Sequence, residues 1–185
     1  MQACDAFTTR SPEDPDTGRS SYQPPTSPSI VIDNLSNSIL EKNSENYISC
    51  FTDSVPYEVK SFIFIPTAEV NSKYPNLFNN WDINDEKQYF VSLLSSIPDE
   101  VLPEINFDSG NFEILSPDSA IYISNYYLNV NHSVNNVPNI FSGRLKFSIF
   151  PNNNGLWAIG AWSDFTREND TISVAWSNLK ALFGN

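Results

Sequence analysis

The sequence predicts an α+β fold, in which N-terminal helices pack on a curved antiparallel β-sheet. Two observations lead to this prediction. Apolar residues recur mostly at helical spacing as far as Ile97, and from Ile105 onward they alternate with polar residues. Helices followed by a run of neighbouring long strands are typical of α+β domains.

The helical part is predicted to begin near Pro28. Ser27 or Ser29 can cap this helix, because a hydroxyl accepts a free backbone N–H and proline is tolerated in the first turn. Ser44 can cap a second, short helix that ends near Phe51. We expect the remaining elements before residue 98 to be a strand over 61–65, a short helix over 67–74 and a helix over 84–96.

Four long strands are then predicted at about 105–114, 119–131, 141–149 and 156–165. Gly110 interrupts the alternation of the first, which indicates a β-bulge that bends the sheet around the first helix. A last helix is predicted over 173–183. Its inward residues are expected to be Trp176, Leu179, Leu182 and Phe183.

The first 27 residues are predicted to be a disordered tether, and residues 28–185 a single domain. Within 5–27, Pro, Ser, Thr, Asp and Gly dominate, and Phe7 and Tyr22 are the large apolar residues. Such a segment buries too little apolar surface to offset the entropy lost on ordering.

The charge of the chain excludes several classes of partner. Asp and Glu number 22 against 10 Lys and Arg, and the formal net charge is −12. An acidic chain without a basic cluster repels nucleic-acid phosphates and anionic lipid headgroups. The sequence also has no apolar run of about 18 residues, so no transmembrane helix is expected.

The sequence also lacks the residues that a metal or cofactor site would need. His132 is the single histidine, and we expect it to lie in a solvated loop. One histidine and Cys50 do not make a zinc site, and the acidic stretches 13–16 and 82–86 do not have EF-hand spacing. Cys50 is expected to be a buried, inert thiol, although a disulfide with Cys4 stays possible. No metal and no cofactor are therefore predicted.

The start of the chain resembles the mature N-terminus of bacterial lipoproteins. Ala3 is a small residue directly before Cys4, and a polar linker follows. Gln2 departs from the family's pattern, and the charged and apolar parts of a signal peptide do not precede Cys4 in this sequence. The resemblance implies lipid attachment at Cys4 and a place in the bacterial cell envelope, facing the periplasm or the exterior.

The order of elements resembles the nuclear-transport-factor-2-like (NTF2-like) superfamily. The resemblance covers about residues 29–165 and ends with the strand Gly155-Leu-Trp-Ala-Ile-Gly-Ala-Trp-Ser-Asp164. It rests on the segments 30–51, 62–65, 86–97 and 103–165. It implies a conical pocket between sheet and helices. Family members include isomerases, dehydratases and cyclases, and also non-catalytic binding or assembly domains.

Four residues are candidates to line that pocket: Tyr122, Tyr126, Trp162 and Asp164. The sequence predicts a non-catalytic, lipid-anchored domain that binds a protein partner or a small apolar ligand. One alternative is an isomerase- or dehydratase-like enzyme, which would need a carboxylate facing a tyrosine across an open cavity. The other is an assembly subunit that forms a homodimer through the outer face of the sheet.

Overall fold

The computed structural model describes residues 20–52, 62–167 and 174–184. Each of the predicted helices and strands is present in it, with ends that differ by a few residues from the predicted ones. The elements in chain order are α1 (Pro28–Leu40), α2 (Ser44–Ile48), β1 (Ile63–Ile65), α3 (Ala68–Lys73), α4 (Ile83–Ser95), β2 (Glu104–Leu115), β3 (Ala120–Asn129), β4 (Ile140–Pro151), β5 (Trp157–Phe165) and α5 (Trp176–Phe183).

The five strands form one sheet in the order β1-β5-β4-β3-β2. The four long strands pair antiparallel, and β1 pairs parallel with β5, with Phe64 beside Trp162. The α+β prediction is thus confirmed, and the sheet is mixed rather than wholly antiparallel. A run of three apolar residues indicates a strand but says nothing about its neighbour.

One face of the sheet is packed against the helices and is called here the inner face. Along β3 and β4 the buried residues alternate strictly with less buried ones, as expected for a strand with one covered face. The register of β2 against β3 shifts between Asp108 and Asn111, which confirms the predicted bulge next to Gly110. Helices α1 and α4 lie over the inner face with buried apolar stripes, so sheet and helices enclose a cone-shaped interior.

The helix caps differ from those predicted. Ser27 stands at the N-cap position of α1, but its side chain accepts no backbone N–H of the helix. At α2 the cap is Asn43 rather than Ser44, and its side chain accepts the Asn46 N–H. At α4, Asp82 and Asp85 form a reciprocal capping box, which fixes where this helix begins. In α5, Leu182 is exposed, contrary to the prediction.

Part of the predicted tether lies against the domain. The Gln23 backbone and the Asn34 side chain exchange two hydrogen bonds, of 2.9 and 2.7 Å. The Trp157 N–H donates to the carbonyl of the buried Pro25 at 2.7 Å. The packed part of the chain therefore includes residues upstream of α1. Cys4 lies outside the described residues, and in the three described ranges no helix is long and apolar enough to cross a membrane.

Gly143 has no side chain, and this lets the side chain of Tyr126 extend across the inner face of the sheet. It lies opposite Tyr126 in the register of β4 and β3. A Cβ on Gly143 would be 2.5 Å from the Tyr126 hydroxyl oxygen and 2.6 Å from the carbonyl oxygen of Phe165. Only a residue without a side chain leaves room there, so Tyr126 can reach over β4 to β5.

Candidate functional site

Three of the four predicted pocket residues meet inside the cone. The Tyr126 hydroxyl donates to Asp164 Oδ1 at 2.8 Å, and Trp162 precedes Asp164 by two residues on the same face of β5. All three are at most 2 % exposed. Tyr122 is separate, because it packs further along β3 against Phe107, Phe112 and Phe147.

The Asp164 carboxylate holds the beginning of α5. Its Oδ2 accepts the Ser177 backbone N–H at 2.7 Å and the Ser177 hydroxyl at 2.5 Å. The Trp176 N–H donates to the Tyr126 oxygen at 2.7 Å. A carboxylate at a helix N-terminus satisfies free N–H groups and interacts favourably with the helix dipole. Asp164, a candidate for lining the interior, is therefore buried and caps α5.

A buried ion pair lies deeper in the same interior. Lys180 Nζ is 2.6 Å from Glu86 Oε1 and 2.5 Å from Oε2, and both side chains are 0 % exposed. Glu86 also accepts the Tyr47 hydroxyl at 2.6 Å and the Trp81 indole N–H at 2.8 Å. Four donated hydrogen bonds thus replace the water that the carboxylate loses on burial.

Aromatic rings surround the Lys180 ammonium group. Its Nζ lies 3.7 Å from a ring centroid of Trp162 and 3.9 Å from that of Phe64. Cation–π attraction is strongest where the cation is desolvated, as here. The Trp162 indole N–H is buried and has no hydrogen-bond partner among the described residues.

Burial shifts the pKa of three groups around the start and middle of α5. It raises the pKa of Asp164 to about 6, although hydrogen bonds from Ser177 and Tyr126 and the charge of Lys180 act in the opposite direction. It lowers the pKa of Lys180 to about 8, against the effect of the Glu86 carboxylate. Burial also raises the pKa of Tyr126 well above its usual value.

The cone is filled by these side chains and by α5. The cavity that remains between α4 and the inner face, beside Trp176 and Leu128, has a volume of about 10 Å³. That is space for about one water molecule, whereas pockets for small molecules measure roughly 300–1,000 Å³. Asp164 and Tyr126 form a carboxyl–tyrosine pair of the kind that the enzyme alternative needs. Both residues are at most 2 % exposed, and both Asp164 oxygens accept hydrogen bonds from protein groups.

Sequence reasoning missed Glu86, Lys180 and Ser177. A signal was present, because Glu86 lies on the α4 stripe with Tyr89 and Phe90, and Lys180 follows Trp176 by four residues. Residues four apart share a helix face. A glutamate and a lysine on the apolar faces of two helices are therefore candidates for a buried pair.

His132 and Cys50 are both buried. The His132 ring accepts the Val134 N–H through Nδ1, and its Nε2 lies 3.0 Å from the Pro138 carbonyl oxygen. The expectation of a solvated histidine is therefore wrong, since the ring organises its own loop. Cys50 is a free thiol whose pKa burial raises to about 12, as expected for an inert cysteine. No group of three or more potential metal ligands occurs in the part of the chain that the structure describes.

Solved structures with this arrangement of elements share little sequence with the chain. An NTF2-like superfamily protein from Salmonella enterica superposes with a TM-score of 0.55 at 10% identity, covering 77% of this chain and 89% of its own. A candidate scytalone dehydratase from Novosphingobium aromaticivorans gives 0.53 at 10% identity, covering 77% and 91%. The chain has the NTF2-like fold.

A third structure with the NTF2-like fold is a candidate calcium/calmodulin-dependent protein kinase II association domain from Xanthomonas campestris. It gives a TM-score of 0.52 at 14% identity and covers 77% of this chain and 86% of its own. No protein-family model and no curated protein sequence matches the chain. The NTF2-like fold hosts proteins of different function, so the fold alone does not assign one here.

Replacing Lys180 by Met should lower the free energy of unfolding by about 3–5 kcal/mol, because the Glu86 carboxylate would stay buried without its partner. Urea denaturation of K180M measures the loss. Lys87→Met is the matched control, since Lys87 pairs with Glu45 on the surface and surface pairs contribute at most about 1 kcal/mol. An equal, small loss in both variants would contradict the assignment of a buried ion pair.

Asp164 should make the domain less stable as the pH rises from about 4 to about 6. Its pKa in the folded state is raised from 3.8 to about 6, so the folded chain binds more protons than the unfolded chain in this window. A shift of this size corresponds to about 3 kcal/mol. Asp164→Asn removes the titration, so the stability difference between wild type and D164N should shrink over this window. A difference that grows with pH would mean that the folded-state pKa is lowered.

Proposed function

We propose that this domain is a non-catalytic binding module, held at a bacterial cell envelope by a lipid on Cys4, whose partners contact its outer surface. One observation carries the proposal. The interior that would form a pocket in this fold is occupied by the chain's own α5, with about 10 Å³ left beside Trp176.

Opening the cone would require α5 to leave it. That step would separate Lys180 from Glu86 and Ser177 from Asp164, and it would expose Trp176, which is 1 % exposed in the structure. Breaking a buried ion pair alone costs about 3–5 kcal/mol, and burial of a large aromatic side chain contributes a further ~3 kcal/mol. Such an opening resembles partial unfolding more than the movement of a lid.

The enzyme alternative rests on the fold and on one pair of residues. A structure with the same fold is a candidate scytalone dehydratase, and Asp164 with Tyr126 is a carboxyl–tyrosine pair of the kind that isomerisation needs. A substrate must come within hydrogen-bond reach of the acid or base. The packing of α5 over both residues favours the non-catalytic proposal.

Trp176→Ala should create a cavity inside the cone that binds indole, because the side chain removed is itself an indole in a well-packed site. Isothermal titration calorimetry should show indole binding to W176A and none to the wild type. Leu182→Ala on the exposed side of the same helix is the control and should also not bind. Binding of indole by the wild type, with shifts of the Trp176 and Tyr89 NMR signals, would show an open cone and contradict the non-catalytic proposal.

The lipid anchor rests on Ala3, Cys4 and the polar composition that follows them. Several acyl chains anchor a protein stably, since each buried methylene contributes about 0.8 kcal/mol. Labelling with radioactive palmitate, with the complete reading frame expressed in bacteria, should mark the wild type and Cys50→Ser but not Cys4→Ser. Equal labelling of the wild type and the Cys4 variant would rule out this anchor.

An assembly subunit is the second candidate function. Apolar side chains of β2, β3 and β4 are exposed, among them Ile114 at 52 %, Tyr127 at 37 % and Ile140 at 50 %. Exposed apolar clusters often mark protein interfaces, and one structure with this fold is a candidate association domain. Sedimentation equilibrium that gives a monomer at every concentration would contradict this candidate.

A further inference from the structure

A groove on the outer side of the molecule has the size of a ligand site. It runs from the outer face of the sheet over the edge strand β1 to α3, and its volume is about 890 Å³. Pockets for small molecules measure roughly 300–1,000 Å³ and are mostly apolar with a few polar groups. The groove opens on the outer side of the sheet, and it meets the interior at Phe64 and Asp164, which belong to its lining.

Apolar side chains form one wall of the groove. Ile63 and Ile65 of β1 and Phe165 of β5 line it, with exposures of 41 %, 50 % and 46 %. Covering such apolar side chains with a ligand is favourable, because it removes apolar surface from water. The wall therefore favours a ligand with an apolar body.

Two cations border the same groove. Arg144 and Lys146 lie two residues apart on β4, so both point to the outer face about 7 Å from each other. The register places Arg144 beside Phe165, and it places Ser163 between Lys146 and Ile65. Lys146 and Ile65 are thus about 10 Å apart across two strand spacings.

These cations have no acidic partner in the described ranges. Neither Arg144 nor Lys146 forms an ion pair there, whereas Lys87 and Lys180 do. A second, polar groove shares Arg144 and is also lined by Arg167. Three positive side chains therefore converge on one face of a chain whose formal net charge is −12, and this face attracts anions that the rest of the surface repels.

One carboxylate borders the groove and is turned away from it. Asp164 is 1 % exposed, and both of its oxygens accept hydrogen bonds from Tyr126 and Ser177 inside the cone. Its charge is therefore engaged on the inner face. Among the described residues, the outer face therefore offers an anion two cations without a carboxylate at hydrogen-bond distance from either.

We propose that this groove binds a small amphipathic carboxylate, such as a medium-chain alkanoate. Arg144 and Lys146 take the carboxylate, because guanidinium and ammonium groups form charge-assisted hydrogen bonds with it. Ile63, Ile65 and Phe165 cover the apolar chain. The inference deepens the proposed function, on which it rests for the idea of an outer binding surface.

Isothermal titration calorimetry with octanoate at pH 7.5 and low salt tests the proposal, with octan-1-ol as the neutral probe of equal length. Octanoate should bind at least tenfold more tightly than octanol, and its binding should weaken as salt is added. Replacing both cations in R144Q/K146Q should weaken octanoate at least tenfold. The double variant K73Q/K87Q removes two lysine charges that do not line the groove and should leave binding unchanged.

A second pair of variants, one test and one control, examines the apolar wall of the groove. Phe165→Ser should weaken octanoate by about tenfold, because the ring borders the groove beside Arg144. Leu102→Ser is the control, since Leu102 is 66 % exposed and does not line the groove. Circular dichroism and thermal melts of each variant separate loss of binding from loss of fold.

Three results would overturn the proposal: equal affinity for octanol and octanoate, unchanged octanoate affinity in R144Q/K146Q, or no octanoate binding by the folded wild type. The failures are distinguishable. Absence of binding defeats the groove proposal and leaves the filled cone, which the indole experiment tests separately. Octanoate binding that neither R144Q/K146Q nor F165S weakens, and that shifts the Trp176 and Tyr89 NMR signals, places the ligand in the cone and defeats both proposals.

Discussion

The ion pair between Lys180 and Glu86 holds the last helix, α5, against α4. Both charges are fully removed from water, which costs several kcal/mol for each ion. The cost is offset because Glu86 accepts hydrogen bonds from Tyr47 and Trp81 as well as from Lys180, and because Trp162 and Phe64 lie over the ammonium group. Lys180 is on the last helix and Glu86 on α4, so neither helix can take its position without the other.

The ion pair and the Asp164 cluster act at different points along α5. Asp164 and Tyr126 hold the first turn through backbone N–H groups, and Lys180 holds the following turn through its side chain. The side chain of Trp176, the first residue of α5, fills the space next to Tyr89, and its indole N–H donates to the Tyr89 hydroxyl at 2.8 Å. A helix fixed at both turns and wedged by a tryptophan is a structural part of the core. This explains why the cavity beside Trp176 has a volume of only about 10 Å³.

The outer face of the sheet differs from the inner face, because it exposes apolar and cationic side chains to solvent. Its strands carry exposed isoleucines, a phenylalanine and cations that form no ion pair within residues 20–52, 62–167 and 174–184. On the inner face, nearly all of the described polar groups have protein partners. Selection for stability alone gives no reason to leave apolar and cationic groups side by side in water. This contrast is the basis of the proposal that a ligand or partner binds on the outside of the sheet.

Much of the fold could be predicted because it depends on local pattern. Alternation along β3 and β4 predicted their faces, Gly110 indicated the bulge, and helical spacing predicted α1 and α4, since strand and helix periodicity follow from backbone geometry. The parallel pairing of β1 was not predictable, because a three-residue strand contains no information about its partner. Tyr126, Trp162 and Asp164 were predicted to face inward, and they do.

What the sequence by itself determined is therefore the list of elements, the inward faces of the strands and the shortage of histidine and cysteine ligands for a zinc site. Only the tertiary structure decided that Glu86 and Lys180 pair, that Asp164 caps α5 instead of meeting solvent, and that Arg144 and Lys146 border an apolar groove. The physical reason is distance along the chain. Glu86 and Lys180 are 94 residues apart, and whether a charge is buried with a partner or solvated depends on which distant segment packs against it.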